Sequence, residues 1–87
     1  MRSQWRERKR PLCIEQRYEF GGYAALRDFL DRAADLSERE SLYPDIGFGH
    51  DYVNVTIYAD EETAALSDKE RRFASMLDDI YMDQENT

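Results

Sequence analysis

The segment 51–59 places the strongest constraint on what this chain can fold into, because its side chains alternate strictly between two characters. Val53, Val55 and Ile57 are branched aliphatic residues, and a period of two with β-branched side chains is typical of a strand. The residues between them are Tyr52, Asn54, Thr56 and Tyr58. The segment therefore predicts a strand with one buried face and one open face that is polar and aromatic.

A second strand is predicted over residues 12–20, LCIEQRYEF, where apolar residues again recur at every second position. Gln16 alone interrupts this apolar face, and Gly21 and Gly22 end the strand. The apolar positions are Leu12, Ile14, Tyr18 and Phe20. Residues 45–49, DIGFG, predict a short strand or a turn.

Two amphipathic helices are predicted where the apolar period changes from two to between three and four residues. The first covers residues 23–41 and cannot extend past Tyr43, because the residue before Pro44 disfavours the helical conformation. The second begins directly after Ser67, which forms a capping box with Glu70.

This order of elements predicts an α+β domain with a mostly antiparallel three-stranded sheet. Both helices pack on one face of the sheet, because each needs an apolar surface to cover, and the other face stays open. We expect the domain to span residues 12–83. A flexible basic arm over 1–11 precedes it, and a frayed tail over 84–87 follows it.

Charge is distributed unevenly along the chain, whose net charge is -7. Residues 1–10 contain five cations and one glutamate, which gives +4 and leaves -11 for the remainder. We expect no nucleic-acid binding, because the acidic body repels phosphates on either side of the arm. The arm is either a solvated leader or a docking arm with Trp5 as its aromatic anchor.

Size and composition indicate a small cytoplasmic protein. At 87 residues a single core is marginal, so we expect a homodimer. No apolar run approaches the roughly 20 residues that span a bilayer. The single cysteine, Cys13, has no partner for a disulfide or a metal site, which favours a reducing compartment and predicts no bound metal.

The segments YEFGGYAALRDFL, YP and VNVTIYAD together resemble the pterin-4a-carbinolamine dehydratases. That family combines an F-x-F-x-x-F pattern and a helix with a His-His-Pro turn and a V-x-V/I-x-L/I strand that ends on a histidine. The matching positions are Tyr18, Phe20, Tyr23, Phe29, Pro44, Val53, Val55, Ile57, Leu66 and Ser67. The resemblance covers most of the chain, lacks the family's N-terminal helix and strand, and implies the family's α+β fold.

The family's three catalytic histidines are replaced in this chain by Leu42, Tyr43 and Asp60. Dehydration of a carbinolamine requires proton transfer, which suits histidine because its pKa lies near neutrality. Leucine cannot titrate, and tyrosine, with a pKa near 10, is a poor base at neutral pH. The only histidine, His50, is read as an exposed loop residue. We expect that dehydratase catalysis is lost and no cofactor is bound, and altered or residual activity is the alternative.

The WRERKRP leader and the LYPDIGFG and YVNVT segments resemble one subgroup in particular. Its members accompany Rubisco in bacteria that form α-carboxysomes, and they are implicated as Rubisco assembly factors. The resemblance implies a non-catalytic chaperone that binds Rubisco subunits and associates with carboxysomes. The residues expected to bind the partner are Trp5, Arg6, Arg8, Tyr52, Asn54, Thr56 and Tyr58. Alternatively, the strand residues among them face a partner subunit or are the solvated side of the sheet.

Overall fold

A computed structural model of the chain describes residues 5–9, 12–59 and 66–85, and within these ranges it contains four strands and two helices. The sequence-based prediction of an α+β domain is confirmed. In chain order the elements are β1 (Arg6–Lys9), β2 (Leu12–Glu19), α1 (Tyr23–Glu40), β3 (Asp45–Phe48), β4 (Tyr52–Tyr58) and α2 (Asp68–Glu85).

The strands form one antiparallel sheet in the order β1-β2-β4-β3. The predicted number of three strands is wrong, because Arg6–Lys9 of the predicted arm forms β1 at one edge of the sheet. All four residues of β1 are exposed and none is apolar, so hydrophobic alternation could not indicate this strand. Its pairing with β2 is what makes it a strand.

The hydrophobic core lies between one face of the sheet and the two helices. Val53, Val55 and Ile57 are at most 1% exposed, as the alternation of β4 predicts. Each buried aliphatic side chain of this size contributes roughly 1.5–3 kcal/mol relative to its exposed state. The helices supply the facing core residues Leu26, Phe29, Ala33, Leu36, Phe73, Ala74 and Leu77.

The two helices run antiparallel over this core. The end of α1 meets the start of α2 through Arg72 and Glu40, whose side chains are 2.9 Å apart. The start of α1 meets the end of α2, where the Gln84 amide donates to the carbonyl oxygen of Ala25 at 3.1 Å. The opposite face of the sheet is covered by neither helix and is called the open face below.

The second helix begins as its sequence predicts. The backbone N–H of Ser67 donates to the Glu70 carboxylate at 2.8 Å, and the Ser67 hydroxyl donates to the same oxygen at 2.7 Å. The first helix ends at Ser41, which adopts the left-handed conformation with φ of 54° and donates its backbone N–H to Ser37. The end of α1 and the start of α2 together set the position of the loop over residues 41–44, which Lys69 of α2 contacts at Ser41.

A carboxylate on α2 connects the first two strands to the helical layer. The Tyr18 hydroxyl donates to Asp78 at 2.5 Å, and the indole N–H of Trp5 lies 3.2 Å from each oxygen of the same carboxylate. Burial, reinforced by the hydrogen bond to Asp78, raises the pKa of Tyr18 far above its usual value. The buried phenol therefore stays neutral and donates at physiological pH.

We predict that Asp78→Ala lowers the free energy of unfolding by about 2–3 kcal/mol, because it leaves the buried Tyr18 hydroxyl and the Trp5 indole without their acceptor. Asp83→Ala on the same helix is the control. Asp83 is exposed, and its ion-pair partner among the described residues is Arg32 at 3.3 Å, so its loss costs about 0.5 kcal/mol or less. Urea unfolding followed by circular dichroism measures both variants, and equal losses would contradict this role of Asp78.

Candidate functional site

Two of the three positions that the resemblance assigns to the family's catalytic histidines lie in the loop after α1. Leu42 is half-buried and packs against the core, and its backbone N–H donates to Ser37 at 3.2 Å. Tyr43 is 70% exposed. The third position, Asp60, lies outside the described residues.

A shallow depression of about 270 Å³ marks this location on the described surface. Its walls are Ser41, Leu42, Tyr43, Pro44, Ile57, Tyr58, Lys69 and Glu70. Lys69 donates to the Ser41 carbonyl oxygen at 3.4 Å, and Glu70 accepts from Ser67, so both charged side chains have structural partners. The negative charge of Asp45 raises the pKa of Tyr58, so this phenol is neutral and can donate a hydrogen bond at neutral pH.

The only histidine of the chain does not line this depression. His50 is exposed in the bend between β3 and β4. Tyr58, which lines the depression, is at the other end of β4. At about 3.3 Å per residue, the seven residues of β4 separate these ends by roughly 20 Å. The single histidine therefore lies far from this depression.

The open face brings together six of the seven residues that the sequence predicts to bind a partner. Residues directly opposite each other in an antiparallel pair point to the same face. Thr56 pairs with Glu15, and Glu15 pairs with Arg6 on its other side. The same register places the remaining predicted residues on this face, namely Arg8, Tyr52, Asn54 and Tyr58.

The seventh predicted residue, Trp5, is not on the open face. Its half-buried indole packs edge-on against Tyr18, with ring centroids 6.2 Å apart, and donates to Asp78 on the helix side of the sheet. Trp5 thus anchors β1 to the core, because β1 follows it directly in the chain. Arg6 and Arg8 are held on the open face by this anchored strand.

The open face also contains charged residues of β2 that the sequence analysis did not include. The Arg8 guanidinium lies 3.3 Å from Glu15, and Arg17 lies over the Tyr52 ring with its Cζ 4.2 Å from the centroid. Arg17 also pairs with Glu19 at 3.5 Å. The alternation of β2 already placed these residues on one side, but their position beside β4 depends on a register that the sequence does not encode locally.

A depression of about 300 Å³ lies in the middle of the open face. Its walls are Arg6, Glu15, Gln16, Arg17, Asn54 and Thr56. Donors, acceptors and charges of both signs are thus exposed beside the aromatic rings of Tyr52 and Tyr58. Aromatic and arginine side chains of this kind are enriched in protein interfaces. The geometry suits recognition of a protein surface better than chemistry on a small molecule.

Neither α1 nor α2 is long and apolar enough to cross a bilayer. Over residues 5–9, 12–59 and 66–85, no three histidine, cysteine or acidic side chains come together as a metal site.

These features define a small α+β scaffold with one helix-covered face and one open face. Comparison with solved structures identifies the family to which this scaffold belongs. It superposes with a TM-score of 0.81 on a pterin dehydratase-like protein identified as a RuBisCO assembly factor in the alpha-carboxysome. The two share 42% sequence identity over 90% of this chain and 89% of the other. The chain therefore belongs to the pterin dehydratase-like family.

A second solved structure shares the fold at much lower identity. The transcriptional coactivator/pterin dehydratase from Brucella melitensis matches with a TM-score of 0.79 and 18% identity, over 88% of this chain and 81% of the other. No protein-family model matches the sequence, and a search of curated proteins found no significant match.

We predict that Gly49→Ala disturbs the open face, because a Cβ there would lie 2.8 Å from Cζ of Tyr52 and would displace the ring on which Arg17 rests. The expected loss is about 1–3 kcal/mol in urea unfolding. Gly47→Ala is the matched control, since its Cβ would meet no atom within 4 Å. Equal stability of the two variants would show that the Tyr52 ring does not need the space at Gly49.

Proposed function

We propose that this protein is a non-catalytic assembly factor for RuBisCO of α-carboxysomes, and that it binds RuBisCO subunits or an assembly intermediate through its open face. The observation that carries this proposal is the 42% identity, over nine-tenths of the chain, to the pterin dehydratase-like protein identified as a RuBisCO assembly factor. The binding needs no cofactor and no nucleotide.

The chemistry of the open face supports binding of a protein client. Tyr58 is 48% exposed, and Tyr52 is held in place by Arg17. Such rings give a large contact area at a low cost in side-chain entropy. Arg6 has no ion-pair partner among the described residues, and Arg8 is more than half exposed. These cations would attract an acidic client surface and make association sensitive to salt.

Loss of catalysis is the second part of the proposal. Leu42 and Tyr43 stand at two of the family's histidine positions, and His50 is roughly 20 Å away from that site along β4. One observation favours the alternative function, a dehydratase with altered or residual activity. The depression beside Tyr43 and Tyr58 remains, and its hydroxyl groups have the chemistry to hydrogen-bond a pterin.

We place the protein in the cytoplasm in association with carboxysomes, as its relative is described for the alpha-carboxysome. Nucleic acid is not an expected partner. Outside residues 1–10 the chain carries a charge of -11, which repels phosphates.

Co-expression of both RuBisCO subunits with and without this protein tests the proposal. We expect more assembled holoenzyme on native gels with the protein, and a reduced gain with Tyr52→Ala plus Tyr58→Ala. Tyr23→Ala, which removes an exposed tyrosine at the start of α1, should keep the gain. Equal holoenzyme with and without the protein would contradict the assembly role.

Dehydration of a 4a-hydroxypterin separates the two candidate functions. We expect no rate above the control without protein. Turnover that Tyr43→Phe or Asp60→Asn abolishes would instead establish the dehydratase alternative.

A homodimer is also proposed, with the second copy at the edge strand β3. Phe48 in this strand is 54% exposed, and the strand contains only one charged residue, Asp45. Exposed apolar edge strands favour pairing with another chain. Light scattering should give about twice the chain mass of 10.3 kDa, and Phe48→Glu should give a monomer while Tyr23→Glu does not. A monomer at micromolar concentration for the unaltered protein would rule the dimer out.

A further inference from the structure

A groove of about 280 Å³ lies on the helix side of the sheet, between β1 and α2. It is distinct from the open face and from the depression at the family's catalytic site. Its apolar walls are Trp5, Ile14, Ala74 and Met82. Its polar walls are Glu7, Arg71, Ser75, Asp78 and Asp79.

Two of the groove's acidic groups are already engaged within the protein. Asp78 accepts hydrogen bonds from Trp5 and Tyr18, and Glu7 lies 3.8 Å from Arg71. Beside Arg71 and Asp79, the groove offers a bound segment the apolar surface of the indole and of Met82, which is 36% exposed.

The groove borders an outer edge of the sheet. β1 is the terminal strand, and no strand within residues 5–9, 12–59 and 66–85 pairs with its outer side. A strand added there would form backbone hydrogen bonds with β1. Its side chains would alternate between the groove beside Glu7 and the open face beside Arg6 and Arg8.

Charge decides which segment fits this edge. Three of the four residues of β1 are cations, Arg6, Arg8 and Lys9, so the strand carries a net charge of +2. A second copy of β1 would bring like charges together, which disfavours self-pairing. A segment with acidic side chains on the open-face side would pair with the two arginines, while apolar side chains on its other side would enter the groove.

We propose that the outer edge of β1 and the groove between β1 and α2 bind an extended segment of a partner protein by β-strand addition. In that segment acidic residues alternate with apolar ones. The proposal goes beyond the assembly function, because the β1 edge and the groove together form a second surface that shares only Arg6 and Arg8 with the open face. Its test contains no RuBisCO, so failure of one proposal leaves the other standing.

A fluorescently labelled, capped eight-residue peptide of alternating glutamate and valine is the probe. Its anisotropy should rise on titration with the protein. The emission of Trp5, the only tryptophan of the chain, should change in parallel, because the peptide covers the indole. A peptide of alternating lysine and valine should not bind.

N-methylation of the peptide tests the strand geometry directly. The N–H groups of alternate residues in a strand point to the same edge. Methylation of the residues whose N–H groups face β1 should therefore abolish binding. Methylation of the residues between them, whose N–H groups face away from β1, should preserve it. Binding that tolerates both sets, or that is lost with both, would overturn strand addition.

Variants on the open face and in the groove on the helix side locate the binding site. Arg6→Glu with Arg8→Glu should weaken peptide binding about tenfold or more, whereas Arg27→Glu with Arg39→Glu on α1 changes the net charge equally and should leave binding intact. Ser75→Phe should block the groove, and Ser75→Ala should not. No anisotropy change up to about 1 mM protein, or a Trp5 emission that does not change when peptide is added, would overturn the proposal.

Discussion

The register between β2 and β4 is the constraint on which the rest of this structure depends. Tyr18 lies opposite Val53 and Ile14 opposite Ile57, so the apolar residues of both strands reach the helices together. A slip of one residue would turn an entire strand's core residues to solvent, at roughly 1.5–3 kcal/mol for each large side chain. The same register fixes the open face, because every residue between the core positions must point the other way. The composition of that face is thus tied to the packing of the core.

Proton transfer and protein binding place different demands on such a scaffold. Catalysis needs titratable groups that converge on one substrate, whereas a binding surface needs exposed side chains of suitable shape and charge held on a rigid support. In this chain Leu42, at one of the positions that the resemblance assigns to a family histidine, packs against the core. The sheet meanwhile keeps its open face and its two edges. We propose a RuBisCO client on the open face and a second copy at β3, and, as a separate proposal, an extended segment at the outer edge of β1.

The sequence correctly predicted those elements whose signals lie within a few neighbouring residues. The alternation of β4 and the Ser67–Glu70 cap required only neighbouring residues, and both predictions are confirmed. β1 was missed because RERK has no apolar residue, and its strand depends on pairing with β2 and on the Trp5 anchor. The acceptor of that anchor, Asp78, is 73 residues away in the sequence, so no local signal connects them. Trp5 was therefore interpreted as a possible partner contact, whereas the structure places it against the core.

The sequence likewise predicted the part of the candidate site that lies on one strand, but not the part contributed by neighbouring strands. The alternation of β4 identified Tyr52, Asn54, Thr56 and Tyr58 as one face, and the antiparallel register supports that interpretation. Glu15, Arg17 and Glu19 joined this face only once β2 was placed beside β4. The side chains of a sheet face come from strands distant in sequence, and long-range pairing is what a single sequence reveals least.

Site-specific photocrosslinking tests most directly whether the open face contacts the client. A benzophenone side chain at Thr56, in the middle of the open face, should crosslink to a RuBisCO subunit during co-expression. The same group at the exposed Ala34 on α1 should not. Crosslinks from Thr56 alone would agree with the proposed function. Crosslinks from Ala34 alone, or equally from both positions, would contradict it.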